Sequence, residues 1–142
     1  MAAALAEAEA AAARGEVPVG AVVVRGGRLV AAAGNRCEEL KDPSAHAELL
    51  ALRAAARTLG DGRLPDCDLW VTLEPCALCA AAVSVFRIRR LYFGAYDPKG
   101  GAVDHGPRLF GQPTIHHAPE VYGGIDESRC SAVLRDFFRD RR

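Results

Sequence analysis

Apolar residues along this chain recur with two different periods, and each change of period marks an element. Residues 2–14 are mostly alanine with one Leu, and Glu7 and Glu9 are candidates for a solvent face. Alanine is the strongest helix former and Gly15 is a natural stop, so this stretch is predicted to be a helix. Residues 18–24 are almost continuously apolar and end at Arg25-Gly26-Gly27, a hairpin turn signal; residues 28–33 read as the returning strand. Residues 34–45 are polar and irregular. From 45 to 59 the period becomes helical, with Leu49, Leu50, Leu52, Ala56 and Leu59 near one face and Arg53 and Arg57 on another. Asp42, with Pro43 after it, and Ser44 are candidates to cap this helix, and Gly60-Asp61-Gly62 ends it.

Residues 68–73, with Trp70, Val71 and Thr72, read as a strand broken by Pro75. Residues 76–85 read as a helix, 90–95 as a strand, 119–122 as a short last strand and 126–139 as a C-terminal helix. A long Gly- and Pro-rich loop precedes the last strand. Apolar strands alternating with helices predict an α/β fold, a mixed central sheet covered by helices on both faces. No repeat or linker interrupts the pattern, so 1–142 is read as one domain.

Composition narrows the possibilities. A chain of 142 residues, half of them apolar, is about one domain with a real core. Lys+Arg and Asp+Glu are both 18, so any contact with a polyanion must come from a local patch. The N-terminal stretch has no basic region before its alanines, and no run approaches the ~18 apolar residues of a membrane span. The expectation is a soluble, cytoplasmic protein with no membrane partner. Five cysteines, only two of them closely spaced, fit a reducing compartment, with Cys37, Cys67 and Cys130 read as small buried hydrophobes.

The chemistry concentrates in two short strings, His46-Ala47-Glu48 and Pro75-Cys76-Ala77-Leu78-Cys79. Together they offer three metal ligands, His46, Cys76 and Cys79, and a carboxylate not needed as one. Three ligands leave the fourth position of a tetrahedral zinc open for water, as in a catalytic site. Both strings fall at predicted helix starts, where free backbone N–H groups favour a thiolate. Cys76 and Cys79 lie on one side of a single turn. Glu48 is then the general acid/base that takes the water's proton and later delivers it to the ring nitrogen and the departing amine. The alternative is a closed structural zinc site with Cys67 or Cys37 as the fourth ligand, but Glu48 would have no task there.

These strings make the chain similar to the zinc-dependent cytidine/deoxycytidylate deaminase superfamily. Further strings, Glu16-Val17-Pro18-Val19-Gly20, Gly34-Asn35-Arg36, Phe93-Gly94-Ala95-Tyr96-Asp97-Pro98-Lys99-Gly100-Gly101 and Phe137-Phe138-Arg139, resemble its branch of bacterial tRNA-specific adenosine deaminases. The resemblance implies a three-layer α-β-α sandwich with a five-stranded mixed sheet. It implies one Zn2+ per subunit on His46, Cys76 and Cys79, with Glu48 as proton shuttle. It implies hydrolysis of adenosine to inosine at the wobble position of a tRNA anticodon stem-loop, typically in an arginine tRNA, and a homodimer. Leu78 and Ala81 depart from the family's usual Met and Gly, and residues 103–120 follow its pattern least well.

A competing reading is a small-molecule deaminase acting on guanine or cytosine; another is a zinc-stabilised RNA-binding module without activity. For the substrate, Asn35, the backbone of Ala47, Val17 and Val19 are candidates to line the base pocket, Asn35 being equally readable as a turn residue. Asp97 and Lys99, with Tyr96, are candidates for an RNA edge. At the C-terminus Arg129, Arg135, Arg139, Arg141 and Arg142 outnumber Asp136 and Asp140 around Phe137 and Phe138. Phe138, Arg139 and Arg141 are therefore candidate RNA contacts, the plainer reading being a helix with Phe packed inward and solvated Arg outside. Arg87, Arg89 and Arg90 suit a subunit contact or a phosphate patch. His116 and His117 resemble a second metal pair, and an ordinary loop role is preferred.

Overall fold

The computed structural model describes residues 1–141. The elements are α1 (Ala2–Ala13), β1 (Gly20–Arg25), β2 (Arg28–Gly34), α2 (Cys37–Leu40), α3 (Ala47–Leu59), β3 (Cys67–Leu73), α4 (Ala77–Val85), β4 (Arg90–Ala95), a 3-10 turn (Leu109–Gly111), β5 (Glu120–Tyr122) and α5 (Glu127–Arg139). The five strands form one mixed sheet in the order β2-β1-β3-β4-β5. β1 runs antiparallel to both β2 and β3, while β3, β4 and β5 are parallel. Helices α1 and α5 pack on one face, α3 and α4 on the other. This is the α-β-α sandwich implied by the resemblance. No helix among the described residues is long and apolar enough to cross a membrane.

The β1–β2 hairpin turns through Gly26 and Gly27, both at positive φ (57° and 77°), as a two-residue primed turn requires. The alanines of α1 have a second purpose besides propensity. Ala4, Ala8 and Ala11 are fully buried against the hairpin. A Cβ at Gly20 would overlap the Ala4 carbonyl, and one at Gly34 would lie 2.7 Å from the Glu7 carbonyl oxygen. Small residues on both partners let the helix lie almost directly on the strands. On the other face Leu52, Leu69, Val83, Ile88, Leu91 and Phe93 form the enclosed core.

Three expectations are corrected. Residues 34–45 are not wholly irregular: α2 lies within them, and its first N–H groups are held by a distant carboxylate. α3 begins at Ala47, with His46 as its N-cap residue and no side-chain cap. Neither Asp42 nor Ser44 caps it; Asp42 Oδ1 instead accepts both the N–H (2.9 Å) and the hydroxyl (2.7 Å) of Ser44, closing a local turn. α4 likewise begins at Ala77, with Cys76 at the N-cap.

Candidate metal centre and base pocket

The topology gathers the functional strings at one end of the strands. Because β1 is antiparallel to both neighbours, its beginning lies beside the ends of β2 and β3, as the pairs Gly20–Gly34 and Ala21–Val71 show. Val17 and Val19 lead into β1, Asn35 follows β2, Leu73 ends β3 and Glu74 to Cys76 follow it, and Asp97 follows β4. They converge on a cavity of ≈ 300 Å³ lined by Val17, Val19, Asn35, Cys37, His46, Glu48, Leu73, Glu74, Cys76, Asp97 and Gly100. That volume suits a single nucleobase.

His46 and Cys76 occupy the N-cap positions of α3 and α4, and Cys79 lies one turn into α4. His46 Nδ1 is 3.5 Å from the Sγ of Cys76 and 3.5 Å from the Sγ of Cys79. With Zn–S near 2.3 Å and Zn–N near 2.0–2.1 Å, the N–S edge of a zinc tetrahedron is about 3.5 Å, so the donor set fits the ion. Among the described residues, these three are the only group of His, Cys and acidic side chains with ligand atoms all within 4.8 Å of one another. Neither Cys67 nor Cys37 joins them, and a closed four-ligand site is not formed. The Cys79 thiol and N–H stabilise the Cys76 thiolate, burial opposes them and His46 assists, holding the Cys76 thiol down at about 5. Cys79 is pushed up by the same contact and by burial, so the pair loses its first proton from Cys76.

Glu48 sits in the first turn of α3 and is 4% exposed. Burial pushes its carboxyl up to about 7; its own backbone N–H opposes, and the nearby Cys76 thiolate adds to the rise. A carboxyl that exchanges a proton near neutrality beside an open metal position is suited to general acid/base work. Asn35 Oδ1 accepts the Ala47 N–H at 2.8 Å. That bond fixes which end of the amide is which: the oxygen faces α3, and the NH2 group is left as a donor for the cavity. Ala47 itself is fully buried and outside the lining, and its N–H is engaged by Asn35.

Two buried acids that the sequence reading did not single out shape the cavity walls. Glu16 accepts the N–H groups of Glu38 (3.0 Å) and Glu39 (2.8 Å), anchoring α2 and with it Cys37. Burial alone would raise the Glu16 carboxyl; those two N–H groups, with Arg14 and Arg36, outweigh it and hold it below the usual range. Glu74 holds the segment from Asp97 to His105, and burial is again outweighed, by the Asp97 N–H first and then the His105 side chain. The only sequence signal for either was a carboxylate inside a string otherwise made of apolar residues, Gly and Pro.

The other candidates lie further out. Lys99 is exposed beside Asp97, whose Oδ1 accepts the N–H groups of Lys99 (3.2 Å) and Gly100 (2.9 Å). Phe137 is buried and Phe138 is 49% exposed, in a shallow groove with Leu134, Arg135 and Arg139. Arg139 is paired with Asp136 (3.2 Å) and Asp140 (3.6 Å). The Arg141 guanidinium lies 3.6 Å from the centre of the Phe137 ring, and its Nη2 would be 3.9 Å from a Cβ on Gly15. Arg141 thus covers Phe137 and lies near Gly15. Arg142 lies outside the described residues. Arg89 pairs with Asp68 and Arg90 with Glu120, while Arg87 borders a groove with Arg63, Val85 and His116. His117 is bound to the Ile88 carbonyl oxygen through Nε2 (2.7 Å), and its N–H donates to Ser84 Oγ, a structural role.

Comparison with known proteins places this geometry. The family model for the cytidine and deoxycytidylate deaminase zinc-binding region matches residues 1–95. The tRNA-specific adenosine deaminase of Agrobacterium fabrum is 59% identical over 139 residues, covering 98% of this chain and 91% of that protein. A chain solved in work on A-to-I editing by tRNA:A34 deaminases at the wobble position of transfer RNA superposes with a TM-score of 0.93 at 58% identity, covering 94% of this chain and 97% of that one. The guanine deaminase from Nitrosomonas europaea superposes with a TM-score of 0.78 at 26% identity, covering 94% of this chain and 80% of that one.

Proposed function

Since the chain belongs to the zinc-dependent cytidine and deoxycytidylate deaminase family, we propose that it hydrolyses adenosine to inosine at the wobble position of a tRNA anticodon, releasing ammonia. The observation that carries the reading is the buried Glu48 carboxyl in one cavity with His46 and Cys76 of the His46, Cys76 and Cys79 donor set, in a chain 59% identical to a tRNA-specific adenosine deaminase. Those three residues would hold zinc, which when bound would supply Lewis-acid activation of water, lowering its pKa from about 15.7 to about 7.

The chain's own side chains do the rest. Glu48 takes one proton from the attacking water and passes it to the adjacent ring nitrogen, then takes the second from the added hydroxyl and passes it to the leaving amine as the carbon–nitrogen bond breaks, so that adenosine and water become inosine and ammonia. The Asn35 NH2 donates to the flipped nucleoside, and Val17 and Val19 cover its apolar face. Asp97, Lys99, Phe138, Arg139 and Arg141 border the RNA. A base in an anticodon loop is only partly stacked, so turning it into the pocket costs little compared with opening a duplex. The substrate is read as an arginine tRNA from the family resemblance. The five unpaired cysteines suit the cytoplasm, where such a tRNA is found.

The zinc-loaded protein should form inosine in an anticodon stem-loop carrying a wobble adenosine and release no ammonia from free guanine or cytosine. Activity confined to the free bases would sink this reading in favour of a small-molecule deaminase.

The active form is read as a homodimer. α4 is apolar on nearly all sides: Ala80 and Val83 enter the core, while Leu78 (44%) and Val85 (56%) remain exposed on its outer side. A helix apolar all round calls for cover on its second side as well. Sedimentation should give twice the chain mass, and Val85→Asp should shift it to one. A wild-type protein sedimenting as a monomer at micromolar concentration would refute the dimer.

A further inference from the structure

Glu74 is a buried acid directly after β3. Its side chain is 0% exposed, yet its two oxygens accept five hydrogen bonds, all from residues 97–105. Oε1 takes the Asp97 N–H (3.0 Å) and His105 Nδ1 (2.8 Å). Oε2 takes the N–H groups of Val103 (3.2 Å), Asp104 (2.9 Å) and His105 (3.1 Å). A carboxylate offers about four lone-pair sites, so this one has no acceptor capacity left for a substrate. It is not placed to shuttle protons.

The segment it holds contains no helix or strand, and it forms one side of the base cavity through Asp97 and Gly100. Its approach to Glu74 depends on Gly101, where a Cβ would lie 2.5 Å from both Cδ and Oε2 of Glu74. The Ala102 N–H also donates to the Pro75 carbonyl oxygen at 2.9 Å. The loop is therefore fastened to the two residues that lead directly into Cys76.

We propose that Glu74 is a positioning residue for the nucleic-acid substrate: it holds the 97–105 segment so that Asp97 and Gly100 stand as a fixed wall facing Glu48 and the ligand cluster. The inference rests on the deaminase reading. The same five bonds would also add to fold stability, so the test must separate the two roles. Glu74→Gln keeps the size but turns an NH2 group toward backbone donors. His105→Ala, at a side chain about one-third exposed, removes a single bond and leaves the carboxylate.

With the anticodon stem-loop as substrate, well below the melting temperature of each variant, Glu74→Gln should raise KM about tenfold with kcat changed less than about threefold. His105→Ala should raise KM about threefold, and zinc should stay at one per chain in both. If Glu74→Gln fails to fold, His105→Ala decides alone. A lower melting temperature with unchanged KM would make Glu74 purely structural and overturn the proposal. A fall in kcat at constant KM, or loss of zinc, would overturn it equally. A wild-type protein that forms no inosine would instead overturn the deaminase reading beneath it.

Discussion

Replacing Glu48 with Gln is expected to lower kcat by about 10³-fold while zinc content and fold remain those of the wild type. The size of the effect follows from the role proposed for Glu48: it would receive the protons of the water and hand them on, so a side chain that cannot exchange a proton would stop both halves of the reaction. Retention of the fold follows from its surroundings. Gln has nearly the same volume and helix propensity, and the site is buried enough that an ionised carboxylate is disfavoured there. A neutral amide should therefore cost little, and the melting temperature should not fall. His46, Cys76 and Cys79 are untouched, so metal analysis should still find one zinc per chain. Turnover within about tenfold of wild type would exclude Glu48 as the shuttle. Loss of zinc with unfolding would make it structural.

What the sequence disclosed, and what it hid, divides along the range of the interactions. His46, Glu48, Cys76 and Cys79 are readable because the chemistry demands fixed residue types within a turn of two helix starts. Glu74 and Glu16 are not, although each is as buried as Glu48. Apart from the His105 side chain on Glu74, their partners are backbone N–H groups 22 to 31 positions away, and backbone groups leave no mark on the sequence. α2 was hidden for the same reason, since four residues without a local cap have no helical signature and Glu16 supplies the acceptors from outside. At the C-terminus the period shows that adjacent Phe137 and Phe138 must face different ways. Only the packing of α5 against the sheet and α1 decides that Phe137 is the buried one. For Ala47, adjacency to the motif suggested a substrate contact, whereas the helix start directs its N–H to Asn35, so it acts by fixing that side chain.

Replacing Cys76 with Ala should abolish deamination, leave less than about a tenth of the zinc, and lower the melting temperature without unfolding the protein at 25 °C. Zinc would tie the starts of α3 and α4, while the core of Leu52, Leu69, Val83 and Phe93 is fully buried by apolar packing that includes none of the three ligands' metal bonds. The fold therefore does not depend on metal as a small zinc finger does. It gains only the linked free energy of binding, about 4 kcal/mol when free zinc is a thousandfold above Kd. Removing one of three ligands forfeits most of that gain, and wild-type protein treated with a chelator should melt near the temperature of the variant. Added zinc should then restore the wild type and leave Cys76→Ala unchanged. Cys67→Ala serves as the control. That thiol is buried at the opposite end of β3, outside the ligand group, so its loss should leave zinc stoichiometry and kcat as they were. If Cys67→Ala lost zinc as well, the site would be a four-ligand structural centre with no place for an attacking water. If Cys76→Ala kept both zinc and activity, the metal chemistry would have to reside elsewhere in the chain.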